Sequence, residues 1–243
     1  MIASPRALPR IDDDEVHVWV AETGGPMDSA GIAQLSADER DRADRYRFDR
    51  DRRCFMFTRI VTRRLLAGYL GETDPAALVI GYGERGKPHL ERPPRALFFN
   101  ASHSGEHAAI AITRAGDVGI DIESVDRDVE ADQLAARVFS ARELAAFEAQ
   151  PEPTRRAVFF DGWTRKEAFI KATGEGMWRS LQSVDVEIGP GAPVRVLAVD
   201  GDEREAACWT LAAFDPAPGY IGAIAVRARA VRVQRLDWGA AWG

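Results

Sequence analysis

Three carboxylates and a lysine stand at spacings suited to phosphate chemistry. In "VGIDIES" (118–124) one residue separates Asp121 from Glu123. On a strand the two acids share a face with Gly119, opposite Val118, Ile120 and Ile122. Acids so placed repel each other unless a cation lies between them, and hard oxygen donors suit Mg2+. Further on, "GWTRKEAFIKATGEG" (162–176) reads as a helix ended by Gly174. Trp163, Glu167 and Lys171 recur every fourth residue and share one helix face. Taken alone, that face is a helical ion pair with snorkelling lysines. The acid pair alone is a strand with a wet outer face. Together they supply three oxygen ligands and a cation.

Two smaller clusters add polar groups. "FFNASHSGEHAAIAIT" (98–113) predicts two apolar strands joined by a tight polar turn at Ser102, His103, Ser104 and Gly105. Such a turn offers N–H groups, hydroxyls and an imidazole to a phosphate. Adjacent Ser102 and His103 do not suit a nucleophile–base triad, and no Gly-x-Ser-x-Gly elbow is present. In "GERGKPHL" (83–90), Gly86 frees the backbone, Lys87 adds a cation and Pro88 stiffens the residues after it. Residues 40–64 hold ten Arg and four Asp in a chain of net charge −6, which predicts a local anion site, not a nucleic-acid surface.

The elements that must position these groups repeat. "LSADE" (35–39) and "FSARE" (139–143) are both Ser-x-x-Glu capping boxes that open short helices. "RRCFMFTRIVTRRLLAGYLG" (52–71) and "RRAVFFDGWTRKEAFIKATG" (155–174) come after them at nearly equal distance; each begins Arg-Arg and ends in Gly. A strand precedes each unit, at 15–20 and 117–125. Further strands are expected near 78–82, 96–99, 107–113, 184–188, 193–199, 206–214, 220–227 and 230–236. Turns are expected at 83–94, 189–193 and 215–219. The organisation is α+β: a loose tail over 1–12, a first half over 13–115, and a second over 116–243 that carries the acids. Val18, Val20 and Arg64 stand in the first half where Asp121, Glu123 and Glu167 stand in the second, so one composite site is expected at the junction.

No apolar run approaches the roughly 20 residues that span a bilayer. The N-terminus lacks the apolar stretch of a signal peptide, and Cys54 and Cys208 show no metal spacing. A cytoplasmic, membrane-free monomer is the expectation.

Taken in order, "GKP", "FNASHS", "GIDIE" and "WTRKEAFIKATGEG" resemble the 4′-phosphopantetheinyl transferase family over about residues 35–190. The match is to its long, pseudo-duplicated type, similar to surfactin-synthetase activating enzymes. The resemblance implies two similar α+β halves related by a pseudo-twofold axis. It implies Mg2+-dependent transfer of the phosphopantetheine arm of coenzyme A to a serine of an apo acyl or peptidyl carrier protein, releasing adenosine 3′,5′-bisphosphate. By resemblance, Asp121, Glu123 and Glu167 hold the metal; the attacking serine must also lose a proton, and Glu167, or a water it holds, is expected as the base. His103 and Lys171 contact the phosphates, and Lys87, Pro88 and Ser102 lie near the adenosine. Arg42, Arg50 and Arg59 are candidates for the 3′-phosphate. The carrier is expected beside residues 124–149, on Val129, Leu134, Val138 and Phe139 with Arg127 and Arg137 around them. The pathway stays open among fatty-acid, polyketide, peptide and siderophore carriers, secondary metabolism included. Two other classes compete: an Mg2+-dependent nucleotide-diphosphate hydrolase, and a non-catalytic module that binds coenzyme A or carriers. The intact acidic trio favours an enzyme.

Overall fold

Strand β1 (Glu15–Glu22) alternates Val16 and Val18 with His17 and Trp19, and almost all of it is buried. A strand buried on both faces needs a layer on each side. The computed structural model, which describes residues 8–25, 27–92 and 97–239, supplies both. Helices α1 (Ser29–Ala33), α2 (Ala37–Ala43) and α3 (Asp49–Leu70) follow β1. Next come β2 (Val79–Tyr82), β3 (Pro88–Arg92), β4 (Phe98–Ser104), β5 (His107–Thr113) and β6 (Val118–Ser124). Then α4 (Ala131–Val138), α5 (Ala141–Glu148) and α6 (Glu152–Thr173) lead to β7 (Val184–Val186) and β8 (Val196–Val199). The chain closes with α7 (Glu203–Ala206), β9 (Thr210–Phe214), β10 (Tyr220–Val226) and β11 (Arg232–Asp237).

The architecture is α+β. One sheet runs β11-β1-β5-β4 and another β6-β10-β9, with β2-β3 and β7-β8 as separate pairs. Val16, Val18, Ala109, Ala111, Val118, Ile120, Ile122, Ile224 and Val226 form an aliphatic layer shared by the two main sheets. The alternate residues Trp19, Ile110 and Ile112 turn the other way, onto Val61, Leu65 and Leu66 of α3. Ala223 and Ala225 of β10 likewise meet Phe159, Phe169 and Ala172 of α6.

Both capping boxes form. Ser36 and Ser140 each accept from the amide three residues on, and Glu39 and Glu143 reach back to the serine amides. Both glutamates are 1% exposed, and both are neutralised from the long helix next in the chain. Glu39 accepts from Arg59 Nε at 3.0 Å and Arg63 Nε at 2.7 Å. Glu143 accepts from Lys166 Nζ at 2.5 Å and from the Val186 amide at 2.7 Å. Each long helix has 22 residues and stops at a left-handed glycine, Gly71 (φ 70°) or Gly174 (φ 75°), a backbone region glycine enters without steric cost.

Several expectations are corrected. "FNASHS" is the body of β4, and the turn narrows to Gly105–Glu106. The strand expected at 96–99 begins at Phe98; residues 93–96 lie outside the described residues. Residues 88–92, expected as turn, pair with β2 as a hairpin. Glu203–Ala206 is helical, so β9 begins only at Thr210. Strand β11, allotted by sequence to the second half, pairs in parallel with β1 of the first sheet. Residues 1–7 of the expected tail lie outside the described residues, but Ile11 is buried and Leu8 packs on the α3 core. Val18 and Val20 are also the wrong counterparts of the acids. Val18 shares the inter-sheet layer with Ile120, so by strand alternation Trp19 and Ala21 match Asp121 and Glu123. A slip of one residue exchanges the faces of a strand.

Candidate active site

The site lies where β4, β6 and α6 meet. Gly119 makes the close approach possible. A Cβ there would stand 2.0 Å from the Ala168 carbonyl oxygen and 2.4 Å from the Ala172 amide, both in α6. With no side chain in the way, the helix lies directly on the strand. Asp121 and Glu123, on the same strand face, are 4% and 8% exposed; the wet outer face that the acid pair suggested is covered by α6. A pocket of about 340 Å³ opens beside them, lined by Ser102, His103, Asp121, Glu123, Trp163, Glu167 and Lys171. The two segments picked out for chemistry thus meet in one cavity.

Lys171 Nζ sits 2.6 Å from Asp121 Oδ1 and 3.0 Å from Ser102 Oγ, and Ser102 donates to the same carboxylate oxygen at 2.9 Å. Ser104 Oγ donates to Glu123 Oε2 at 2.7 Å, while Arg127 pairs with Glu123 Oε1. Glu167 makes no hydrogen bond to another described residue, and Lys171 is the positive charge that acts to lower its pKa. Burial, and next the negative Asp121, raise the pKa of both Glu123 and Glu167. Desolvation by the pocket walls, and next the positive Lys171, lower that of His103, a residue that lines the pocket while keeping part of its surface in water.

The residues suit a hard divalent cation. Asp121 Oδ2 is buried without a hydrogen-bond partner, and the carboxylates repel one another across the pocket. A cation would satisfy that oxygen and relieve the repulsion. Among the described residues no three acids, histidines or cysteines are gathered tightly enough to cage an ion as they stand. Lys171 and Arg127 are folded onto two of the three carboxylates and hold part of the ligand set.

The other predicted residues are dispersed. Lys87 and Pro88 line a second cavity of about 460 Å³ with Phe98, Phe99, Gly174 and Glu175, along the same β4–α6 groove. Ser102, grouped with them by resemblance, instead belongs to the carboxylate pocket. Lys87 is engaged as a strut: it donates to the Ala172 carbonyl at 2.5 Å, near the end of α6, and pairs with Asp117 at 3.3 Å. Arg59 is 6% exposed, tied to Glu39 and to Tyr82 Oη at 2.6 Å, so it serves the interior and presents no free guanidinium. Arg42 and Arg50 are exposed at the surface. Asp51, at the start of α3, weakly opposes the lowering of the His103 pKa. Of the apolar patch expected for a partner, Val138 and Phe139 are buried, and Val129 and Leu134 pack against the same core. Arg127 and Arg137 remain at the surface. From sequence, Ser104 has no more than a place in a turn and Arg127 only a surface role. Period-two spacing from Asn100 through Ser102 marks the first, and an i, i+4 relation to Glu123 marks the second.

Residues 117–225 match the 4′-phosphopantetheinyl transferase superfamily, and residues 28–115 match the 4′-phosphopantetheinyl transferase N-terminal family. The chain is 34% identical over 217 residues to the 4′-phosphopantetheinyl transferase HetI of Nostoc sp., covering 88% of each chain. It is 32% identical over 194 residues to the 4′-phosphopantetheinyl transferase psf-1 of Bacillus pumilus, covering 79% of each. A 4′-phosphopantetheinyl transferase of Bacillus subtilis is 30% identical over 172 residues, 71% of this chain and 75% of that one. The chain belongs to the 4′-phosphopantetheinyl transferase superfamily. It is an enzyme, a transferase of phosphopantetheinyl groups. No helix among the described residues is long and apolar enough to cross a membrane.

Proposed function

We propose that the chain transfers the 4′-phosphopantetheine arm of coenzyme A to a serine of an apo acyl or peptidyl carrier protein, with Mg2+ at Asp121, Glu123 and Glu167 and adenosine 3′,5′-bisphosphate as the other product. The observation that carries this reading is the buried, unpartnered Asp121 Oδ2, in one pocket with two further carboxylates and Lys171. When bound there, Mg2+ supplies charge neutralisation to the diphosphate and to the departing phosphate oxygen. Lys171, with one side on Asp121 and Ser102, offers its remaining donor to a phosphoryl oxygen as charge grows on it. Glu167, free of hydrogen bonds to its neighbours, takes the proton of the attacking serine. His103 at the rim contributes a neutral imidazole N–H to the phosphates. The second cavity along the groove receives the adenosine against Pro88 and Phe98, and the exposed Arg42 and Arg50 remain the candidates for its 3′-phosphate. The protein acts as a cytoplasmic monomer in this reading.

The test is direct. Incubate the protein with coenzyme A, Mg2+ and apo carrier protein, then weigh the carrier. A mass gain equal to one phosphopantetheine on its serine supports the proposal. Coenzyme A consumed with the carrier unchanged would mean that water is the acceptor.

A further inference from the structure

Strands β4 and β6 lie side by side where the two main sheets meet, yet they belong to different sheets. Side chains join them instead of a backbone ladder. Asn100 Oδ1 accepts from the Ile120 amide at 3.0 Å, Ser102 Oγ from the Ile122 amide at 3.4 Å, and Ser104 Oγ from the Ser124 amide at 3.1 Å. Each rung spans 20 residues of sequence, so the strands run in the same direction, and alternate residues of one serve alternate amides of the other.

Two rungs have a second duty. Ser102 donates to Asp121 Oδ1 and Ser104 to Glu123 Oε2. A serine hydroxyl has one proton to give and two lone pairs. Once the β6 amide fixes a lone pair, the proton is aimed at the neighbouring carboxylate. Each acid is therefore held by a group anchored to its own strand's backbone. Ser102 is also tied to Lys171 and lines the pocket. Ser104 is buried and absent from the pocket wall, so any influence it has on chemistry passes through Glu123. The other oxygen of Glu123 is held by Arg127, whose side chain is 53% exposed. Without Ser104, Arg127 is the remaining hold on this flexible acid, and it pulls toward solvent.

We propose that Ser104 is a positioning residue for Glu123: the side-chain ladder fixes its hydroxyl on the Ser124 amide and so aims its one proton at the Glu123 carboxylate. This rests on the reading that the pocket takes a divalent cation.

The test uses Mn2+ as probe, with its binding to the whole chain measured by calorimetry. Ser104→Ala should weaken Mn2+ binding by roughly 10–100-fold, the usual effect of removing an outer partner of a ligand. Ser104→Thr, which keeps the hydroxyl, should stay near wild type. Asn100→Ala breaks a rung with no carboxylate on it; it should lower the melting temperature without a matching loss of Mn2+ affinity. If Ser104→Ala does not fold, Ser104→Cys keeps the shape with a much weaker donor and should show the same loss. Wild-type affinity in the folded Ala or Cys variant overturns the inference, as does an equal loss in Asn100→Ala. If the wild type takes up no Mn2+, the cation reading itself fails and this inference with it, a result distinct from the other two.

Discussion

The β1–α3 and β6–α6 interfaces use the same parts to opposite ends. Each has a capped short helix, a buried glutamate neutralised from the long helix, and a left-handed glycine stop. Arg63 and Lys166, the partners of those glutamates, stand at matching places 103 residues apart. One residue further on, the two helices diverge. Arg64 bonds to Gln34 at 2.9 Å, whereas Glu167 faces the pocket. The strands diverge on the same side. In β1, His17 and Trp19 fill the space under α3, where both meet the Tyr69 hydroxyl, at 2.5 and 2.9 Å. In β6, Gly119 and Asp121 stand there instead. A vanished side chain brings α6 onto the strand, and an acid in place of an indole leaves a charged cavity. The lesson is that the buried ion pair and the caps are the frame. In the proposed reading the groups that do chemistry stand one step away from that frame, beside α6 and not beside α3.

The largest expected effect tests that division. Glu167→Gln keeps size and removes charge. It should lower kcat by roughly 10²–10⁴, the usual span for a general base, and raise the Mg2+ concentration needed for half-maximal rate. Arg64→Gln, its counterpart, should leave kcat at the wild-type value. Titrating activity against Mg2+ for both variants decides the matter. Near-normal turnover of Glu167→Gln at saturating metal would remove Glu167 as the base and dissolve the contrast.

Next comes the frame itself. Lys166→Ala leaves Glu143 buried without a cation and should cost about 3–5 kcal/mol. Arg63→Ala should cost less, because Arg59 still neutralises Glu39. Urea unfolding of both variants measures the difference. An equal cost would mean that Arg59 contributes nothing to holding Glu39. Gly119→Ala probes the closeness of helix and strand. The new Cβ meets backbone, not a side chain that can turn away. A loss of about 1–3 kcal/mol or more is expected, with weakened activity. Normal stability would show that α6 can lift off β6 at little cost.

Much of this contrast is legible in the chain without coordinates. Gly-x-Asp-x-Glu fixes a strand face, Trp163, Glu167 and Lys171 fix a helix face, and the Ser-x-x-Glu boxes announce where helices start. The rest depends on tertiary contact. "FNASHS" has the composition of a turn, and only the proximity of β6 gives its side chains amides to bond, so the sequence alone hides the strand. Arg59 and Arg63 have the charge of phosphate ligands, but a buried Glu39 claims both. The return of β11 to the first sheet arises from no local signal, since parallel pairing links residues at opposite ends of the chain. Counterparts of the acids fall one residue out of register when the halves are matched by sequence, because both faces of β1 are apolar and alternation gives no warning there.

The smallest expected effect concerns that β1 face and its sensitivity to acid. Trp19 Nε1–H donates to Tyr69 Oη, which leaves the Tyr69 proton for His17 Nδ1. This suits a neutral imidazole with its own proton on Nε2, 3.5 Å from Glu15. Burial lowers the His17 pKa below its ordinary 6.5, and the charges of Glu15 and Asp12 only partly oppose the shift. Folded His17 therefore binds a proton less readily than the unfolded chain does. Its contribution to stability is complete above about pH 6.5 and declines as the pH falls below that, by at most about 1.4 kcal/mol per pH unit. His103 is shifted in the same direction and adds to the decline. Denaturant unfolding at pH 7.5 and at pH 5.5 should thus show a smaller drop for His17→Gln than for wild type, even if the variant is less stable at both. His103→Gln separates the pocket's share from that of the β1–α3 interface. The β6–α6 interface offers no histidine at the matching place, since Gly119 stands there. An unchanged drop in His17→Gln would mean that His17 titrates alike folded and unfolded, and the apolar character assigned to the β1 side of the comparison would be wrong.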